Sequence, residues 1–518
     1  MFRILIANRG EIAIRILRAC RELEIPAVAV FSEADRASMH VRLADEAYPI
    51  GPAPSRESYL RIDNLMDVAR RAGCDALHPG YGFLAENPEL PRACEANGIT
   101  FIGPRAEAME QLGSKTAARQ LARRAGVPTV PGTMDPIAGA DEALPVAREI
   151  GFPVLLKAVA GGGGKGMRLV SAESELAAAW RDAGSEALNA FGDARLYLEK
   201  YLDRPRHIEM QILGDLHGHT VYLGERECSV QRRHQKVIEE APSPAVTPEL
   251  RRKMGQAAVA LARAARYTNA GTCEFLVDAA GDFYFLEVNT RLQVEHPVTE
   301  EVTGLDLVKL QIRIAAAEPL PFAQEDIRIN GHAIECRIYA EDPANNFFPS
   351  PGKILSRRVP HGPGIRLDDG VYPGWTVPTE YDPLLGKLIA WGGDRAEAIA
   401  RMRRALDEYY ASGIKTNAGL FRSILADAEF AAGDFHTRWL DQRLQSFVAP
   451  GAQAPLKKDG ALRNGRERAL EDAALLAAVM WHLEKNSASS AATPPEAQRE
   501  SPWKLEGRRE ALDRAPER

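Results

Sequence analysis

The chain is predicted to be an α/β protein of several domains whose first domain is built on a parallel sheet. Three observations carry this. Residues 3–8 read as a buried strand, Ile12, Ile16, Leu17 and Leu23 recur at helical spacing within 11–24, and residues 28–31 form a second strand, so the chain opens β-α-β. A glycine run, residues 161–166, lies between two short strands. Residues 273–278 and a strand beginning at Phe283 flank the turn-like Ala279-Ala280-Gly281-Asp282 and read as a hairpin.

The bulk numbers set limits. A chain of 518 residues has room for two to four domains and a large core. It is 45% hydrophobic and 26% charged, ordinary for a globular protein. A net charge of −6 gives no basic field for nucleic acid. No run of 18 apolar residues offers a membrane span, and residues 1–15 do not read as a signal peptide. The six cysteines form no Cys-x-x-Cys pair, which argues against zinc and for a reducing, cytoplasmic setting.

In chain order, Asn8-Arg9-Gly10-Glu11 occupies the first strand-to-helix turn without the G-x-G-x-x-G of a dinucleotide site. His78-Pro79-Gly80-Tyr81-Gly82 is a rigid loop after another short strand. Residues 105–127 read as helical and carry Lys115. Residues 128–203 form a compact unit: strand 154–157, glycine loop, strand 167–170, a helix from Glu173, then 195–201. Residues 204–334 are strand-rich, with helices near 249–266 and 304–317. A further α/β unit, 335–446, ends in an amphipathic helix over 396–410 and the stretch 414–447. From residue 449 the composition turns to linker, with a helix expected at 468–485.

The hairpin holds the densest chemistry. Glu287, Asn289, Arg291, Gln293 and Glu295 stand at every second position and share one face of an extended chain. Pairing Asp278 with Phe283 sets Glu274 opposite Glu287. Facing carboxylates repel unless a hard cation lies between them, and Mg²⁺ takes one or two carboxylates plus phosphate oxygens.

The glycine loop is not a P-loop, because Val159 and Gly166 stand where that motif needs Gly and Ser or Thr. A strand-to-strand glycine loop suits a flap whose N–H groups close on a triphosphate. Lys157, in an apolar strand just before it, needs an anionic partner. Glu199-Lys200-Tyr201-Leu202 begins a connection between two units. Gln231-Arg232-Arg233-His234-Gln235-Lys236 is either a solvated basic turn or an electrostatic clamp.

Together, residues 6–13, residues 78–84, the glycine flap, Gln231–Lys236 and Glu287–Pro297 resemble biotin carboxylase, an ATP-grasp enzyme. The likeness runs in order over 1–446 and continues in Glu335-Cys336-Arg337 and Pro349-Ser350-Pro351-Gly352. It implies a Rossmann-like domain at 1–114, an ATP-grasp domain at 115–334 with 128–203 as a mobile lid, a C-terminal α/β domain at 335–446, and a partly disordered tail at 447–518.

The resemblance also implies roles. Lys115, Lys157 and His207 would hold ATP phosphates or ribose, beneath Gly163 and Gly164 of the flap. Glu199, Lys200 and Leu202 would form the adenine hinge, Leu276 would stack on the base, and Gln231 and His234 would touch nucleotide. Glu274, Glu287 and Asn289 would bind Mg²⁺ or Mn²⁺. Lys236, Arg291, Gln293, Val294 and Glu295 would surround bicarbonate, with Glu295 as base. Arg337 would stabilise the biotin enolate.

Some positions depart from the family. Ala160 stands where another glycine is usual, and Pro363 where bacterial relatives often place an aromatic residue near a dimer interface. No Met-Lys-Met tripeptide occurs, so biotin is expected on a carrier protein or domain outside this chain. The expected partners are a second copy in a homodimer, a biotin carboxyl carrier protein and a carboxyltransferase subunit. The tail resembles the start of the linking region of methylcrotonyl-type subunits. The implied activity is the first half-reaction of an acyl-CoA carboxylase. The alternatives are a subunit of pyruvate carboxylase type, another ATP-grasp carboxylate ligase, and a non-catalytic subunit that kept the fold.

Overall fold

The computed structural model describes residues 3–133, 135–137, 139–159 and 167–448. The glycine run and the tail, including its expected helix at 468–485, lie outside the described residues.

Five parallel strands open the chain: β1 (Ile4–Ile6), β2 (Ala27–Ser32), β3 (Glu46–Gly51), β4 (Ala76–His78) and β5 (Thr100–Phe101), in the order β3-β2-β1-β4-β5. β1 and β2 are buried throughout, as a parallel sheet covered on both faces requires. The helix Gly10–Glu22 turns Ile12, Ala13 and Ile16 into one core with Leu213, Val221 and Leu292, tying this sheet to the next. The helix expected over 105–127 is two, Ala106–Gly113 and Lys115–Arg124. Ser114 breaks them, its hydroxyl capping the second by accepting from Ala117 N.

A small antiparallel sheet follows: β6 (Val154–Ala158), β7 (Arg168–Val170) and β8 (Leu196–Lys200), in the order β7-β6-β8. Leu176–Phe191 packs on it through Leu176, Ala183 and Ala187.

The largest sheet is antiparallel. β9 (Arg206–Gly214), β10 (Thr220–Arg232), β11 (Gln235–Ala241), β12 (Asn269–Val277), β13 (Phe283–Asn289) and β14 (His332–Tyr339) join strands Leu384–Gly392 and Ile365–Asp369 in the order β13-β12-β9-β10-β11-β14-(384–392)-(365–369). It therefore runs unbroken from the hairpin into the C-terminal part of the chain. Met254, Ala258 and Leu261 of helix Pro248–Ala264 cover one face, against Met210, Phe275 and Phe285. The other face is polar and carries the site. Among the described residues no helix is long and apolar enough to cross a membrane.

Candidate active site

Lys236 is the hub of the polar face. The β10–β11 turn is a two-residue hairpin with Arg233 and His234 both left-handed (φ 49° and 66°), which pairs Gln231 with Lys236 and points both inward. Arg233 and His234 stay exposed at the tip, so the basic hexapeptide is half solvated turn and half site. The Lys236 ammonium donates to Glu209 Oε2 (2.6 Å), Glu274 Oε1 (2.8 Å) and Glu295 Oε1 (2.7 Å). Burial alone would push it down, but these three carboxylates hold it well above the usual lysine range. Arg226, fully buried, backs the cluster. It bonds Glu209, Gln211 Oε1 (2.7 Å), Thr299 Oγ1 (2.8 Å) and Thr272 Oγ1 (3.1 Å).

The hairpin register differs from the expected one. Val277, not Asp278, faces Phe283, yet Glu274 still faces Glu287, because Leu286 is an extra residue bulged from β13. The shared face also ends sooner than alternation implies. β13 stops at Asn289, residues 290–295 form a loop, and a helix starts at His296 with Pro297 in its first turn. The loop still returns its polar residues to the site. Arg291 Nη1 donates to Gln293 Oε1 (3.0 Å) and Nη2 to Asn289 Oδ1 (3.2 Å), while Gln293 Nε2 (3.3 Å) and Asn289 Nδ2 (2.8 Å) donate to Glu274 Oε1. Burial would push Glu274 up, but Lys236 and His207, whose Nε2 lies 2.8 Å from it, hold it well below the carboxylate range. Glu287 moves the other way: burial raises it, facing Glu274 adds to that, and Lys115 draws it back.

Arg337 reaches the same loop from β14. Its Nε donates to Glu239 Oε1 (2.6 Å) and its Nη2 to Glu295 Oε2 (3.0 Å). Glu295 is fully buried, a condition that favours its neutral form, yet Lys236, Arg337 and Arg226 hold it far below the carboxylate range. Burial pushes Glu239 up to about 7 against the pull of Arg337. A cavity of about 470 Å³ opens beside Arg337, Arg291 and Val294, walled by Glu11, Tyr81 and Tyr381. Its wall depends on Gly80 (φ 63°), where a Cβ would come within 3.0 Å of Asn8 Nδ2; that amide donates to Pro79 O (2.7 Å) and Tyr81 O (2.8 Å).

The nucleotide candidates lie around the β6–β8 sheet and the hairpin. Lys157 finds its anion within the chain, Glu199 of β8, which Arg119 also bonds. Lys200 sends its ammonium to Gly151 O (2.8 Å), Leu202 follows β8 half-buried, and Lys115 starts its helix beside Glu287. Gln231 Nε2 lies 2.9 Å from His207 Nδ1, and half-buried Leu276 pairs with His207 across β9. His234 is out at the turn tip. Gly163 and Gly164 lie outside the described residues.

Two other groupings could in principle ligate a metal: His207, Glu209 and Glu274, and Glu209, Cys228 and Glu295. Lys236 and Arg226 already neutralise their carboxylates, so a cation there would have to evict a buried ammonium. Glu274 and Glu287, whose repulsion is only partly relieved, fit Mg²⁺ better. Glu209, Arg226, Glu239, Glu11 and Lys387 were not among the expected site residues. Each lies in a strand or helix whose local pattern reads as structural, and only their tertiary neighbours give them a place at the site.

A parallel-sheet domain, a small antiparallel sheet and a large antiparallel sheet bearing facing carboxylates make an ATP-grasp ligase. Family profiles agree along the chain: "Biotin carboxylase, N-terminal domain" matches residues 1–109, "Carbamoyl-phosphate synthase L chain, ATP binding domain" 114–323, and "Biotin carboxylase C-terminal domain" 335–442. The chain belongs to the biotin carboxylase family. It is 56% identical over 441 residues to a pyruvate carboxylase subunit of Methanothermobacter thermautotrophicus, covering 85% of this chain and 89% of that one. It is 51% identical over 440 residues to the human mitochondrial propionyl-CoA carboxylase alpha chain, covering 85% of this chain and 60% of that longer one. Among solved structures, the biotin carboxylase domain dimer of Hydrogenobacter thermophilus 2-oxoglutarate carboxylase, in complex with MgADP, ADP and bicarbonate, superposes with a TM-score of 0.81 at 49% identity, covering 87% of this chain and 99% of that one.

Proposed function

We propose that this ligase carboxylates biotin presented by a carrier protein or domain, using ATP and bicarbonate by way of carboxyphosphate. The observation that carries the reading is the convergence of Lys236, Arg337 and Glu295. Two cations and a carboxylate meet beside a cavity that can admit a flat neutral ring. Bicarbonate binds between Lys236, Arg291, Gln293, Val294 and Glu295. Its entry shares Lys236 and Arg337 between two anions, which raises Glu295 towards a pKa at which it can take the bicarbonate proton. Carboxyphosphate releases CO₂ beside biotin, the freed phosphate takes the ureido proton, and Arg337, oriented by Glu239, holds the resulting oxyanion. Lys115, Lys157, His207, Gln231 and His234 serve the ATP phosphates and ribose under Gly163 and Gly164. Glu199, Lys200, Leu202 and Leu276 take the base. Glu274, Glu287 and Asn289 hold Mg²⁺ or Mn²⁺, which offsets phosphate charge when bound.

We assign the domains as 1–114, 115–334 with 128–203 as lid, 335–446 and 447–518. The protein acts in the cytoplasm with a carrier and a carboxyltransferase, as a homodimer. Its acceptor is an acyl-CoA; the relative named as part of a pyruvate carboxylase favours pyruvate as the second reading. The test is ADP release from the purified chain. Dependence on both bicarbonate and free biotin supports the assignment. Turnover that ignores biotin indicates an amide-forming ligase, and none at all a non-catalytic subunit. Carboxyl transfer to an acyl-CoA or to pyruvate by co-purified partner chains separates the two acceptors.

A further inference from the structure

The turn Asn8–Glu11 has no part in the chemistry above, yet its last residue faces the site. Glu11 stands in the first turn of the helix Gly10–Glu22, is 6% exposed and lines the cavity shared by Arg291, Val294 and Arg337. Its Oε2 lies 3.5 Å from the ammonium of Lys387, a residue with no exposure at all. Lys387 stands opposite Arg337 across the β14 pairing. Its Nζ donates to the carbonyl of Val294 (2.8 Å) and sits 5.6 Å from the ring centroid of Tyr81. A fully buried ammonium is expensive unless its partners are fixed. Its direct contacts are one carboxylate from the N-terminal sheet domain, one aromatic face from the loop after β4 and one peptide carbonyl of the anion loop, and the carboxylates of Glu335 and Asp368 also feel its charge.

We propose that Lys387 is a positioning residue for the anion site, with Glu11 as its counterion. The inference rests on the bicarbonate reading of residues 291–295. The Val294–Glu295 peptide is planar and trans, so anchoring its oxygen aims the Glu295 N–H the opposite way and sets where Glu295 leaves the chain. Lys387 thereby holds the loop in the shape that Arg291, Gln293 and Glu295 need, and Glu11 makes that hold depend on the N-terminal domain.

The experiment is steady-state kinetics of the full chain with Mg²⁺-ATP, free biotin and varied bicarbonate. Three variants are compared: Lys387→Met, Glu11→Gln, and both together. Lys387→Met leaves Glu11 buried without its cation, so its thermal midpoint falls. The double variant also removes the orphaned Glu11 charge and recovers part of that midpoint, Glu335 and Asp368 still lacking the ammonium. If the ammonium acts through the Val294 carbonyl, the double variant still raises KM for bicarbonate by roughly tenfold, the worth of a hydrogen bond to a charged group. KM for ATP should stay within about twofold, since uniform binding of the nucleotide is untouched. Glu11→Gln, which leaves the ammonium on the carbonyl, should raise KM for bicarbonate less. A double variant with wild-type KM for bicarbonate overturns the inference, as does an equal rise in KM for ATP, or a Glu11→Gln effect as large as the double variant's. A wild-type enzyme whose turnover ignores bicarbonate overturns the proposed function first, and this inference with it.

Discussion

Glu274 and Glu287 face each other across the β12–β13 hairpin because Leu286 is bulged out of β13. Without that bulge, the register at the turn, Val277 to Phe283, would carry on through Leu286 opposite Glu274 and set Glu287 on the same side as Phe285, in the apolar core. With it, Phe285 and Val288 both pack into the core although they are three apart, and Glu287 and Asn289 turn to the polar face. One inserted residue thus serves packing and chemistry together.

Replacing Glu287 by alanine should raise the Mg²⁺ concentration needed for half-maximal turnover by tenfold or more, on the order of the loss expected when a bound cation gives up a carboxylate ligand. Glu107→Ala, on an exposed helical position, is the control. A Mg²⁺ titration that superposes on the control would show that the hairpin is not the metal site.

Lys236→Met should be the most destabilising single change in the site. Three carboxylates lose their common cation in a buried setting, and breaking a buried ion pair typically costs about 3–5 kcal/mol. Urea unfolding should show the loss at pH 7 and a smaller one near pH 4, where the orphaned carboxylates can take up protons. A midpoint within experimental error of wild type at pH 7 would contradict the hub role.

The opening β-α-β unit, the hairpin and the pairing of Glu274 with Glu287 were legible in the sequence, since strand runs and alternation are local signals. The bulge was not, because a single extra residue leaves the polar-apolar pattern nearly intact. The end of the shared face at Asn289 was also hidden: Arg291, Gln293 and Glu295 keep the alternation but come to the site by a loop. The anionic partner that Lys157 called for is Glu199, 42 positions later and visible only in three dimensions. Lys387 and Glu11 were beyond reach for the same reason, as buried charges from distant elements that meet at one carbonyl.

Glu11 should make stability fall as pH rises. Burial pushes its carboxyl up to about 7 despite Lys387, while the unfolded chain keeps the ordinary value near 4.5. The folded state therefore binds the proton more tightly, and its stability is lost progressively between those two values and level above them. The span corresponds to a few kcal/mol, on the order of 3. Glu11→Gln should flatten this dependence, so that its thermal midpoint falls less than wild type's between pH 5 and pH 8, whatever the loss of the Lys387 counterion does to its absolute value. A variant that keeps the wild-type slope would mean that the carboxyl is not desolvated as the structure places it.

Glu295→Gln should fold, bind nucleotide and lose turnover. The side chain keeps its shape and its acceptor oxygen towards Lys236, and Lys236 and Arg337 retain Glu209, Glu274 and Glu239 as counter-charges. What is lost is a proton acceptor, which typically contributes about 10²–10⁴ in rate. The pH profiles carry a second signature. In the free enzyme Glu295 is held far below the usual range by Lys236, Arg337 and Arg226, so kcat/KM should show no acid limb from this residue above about pH 4. Once bicarbonate shares those cations the carboxylate becomes more basic, and the acid limb of kcat should stand at higher pH than that of kcat/KM. A variant with near-normal kcat, or profiles in which the two limbs coincide, would remove Glu295 from the role of base and leave it as a structural partner of Lys236 and Arg337.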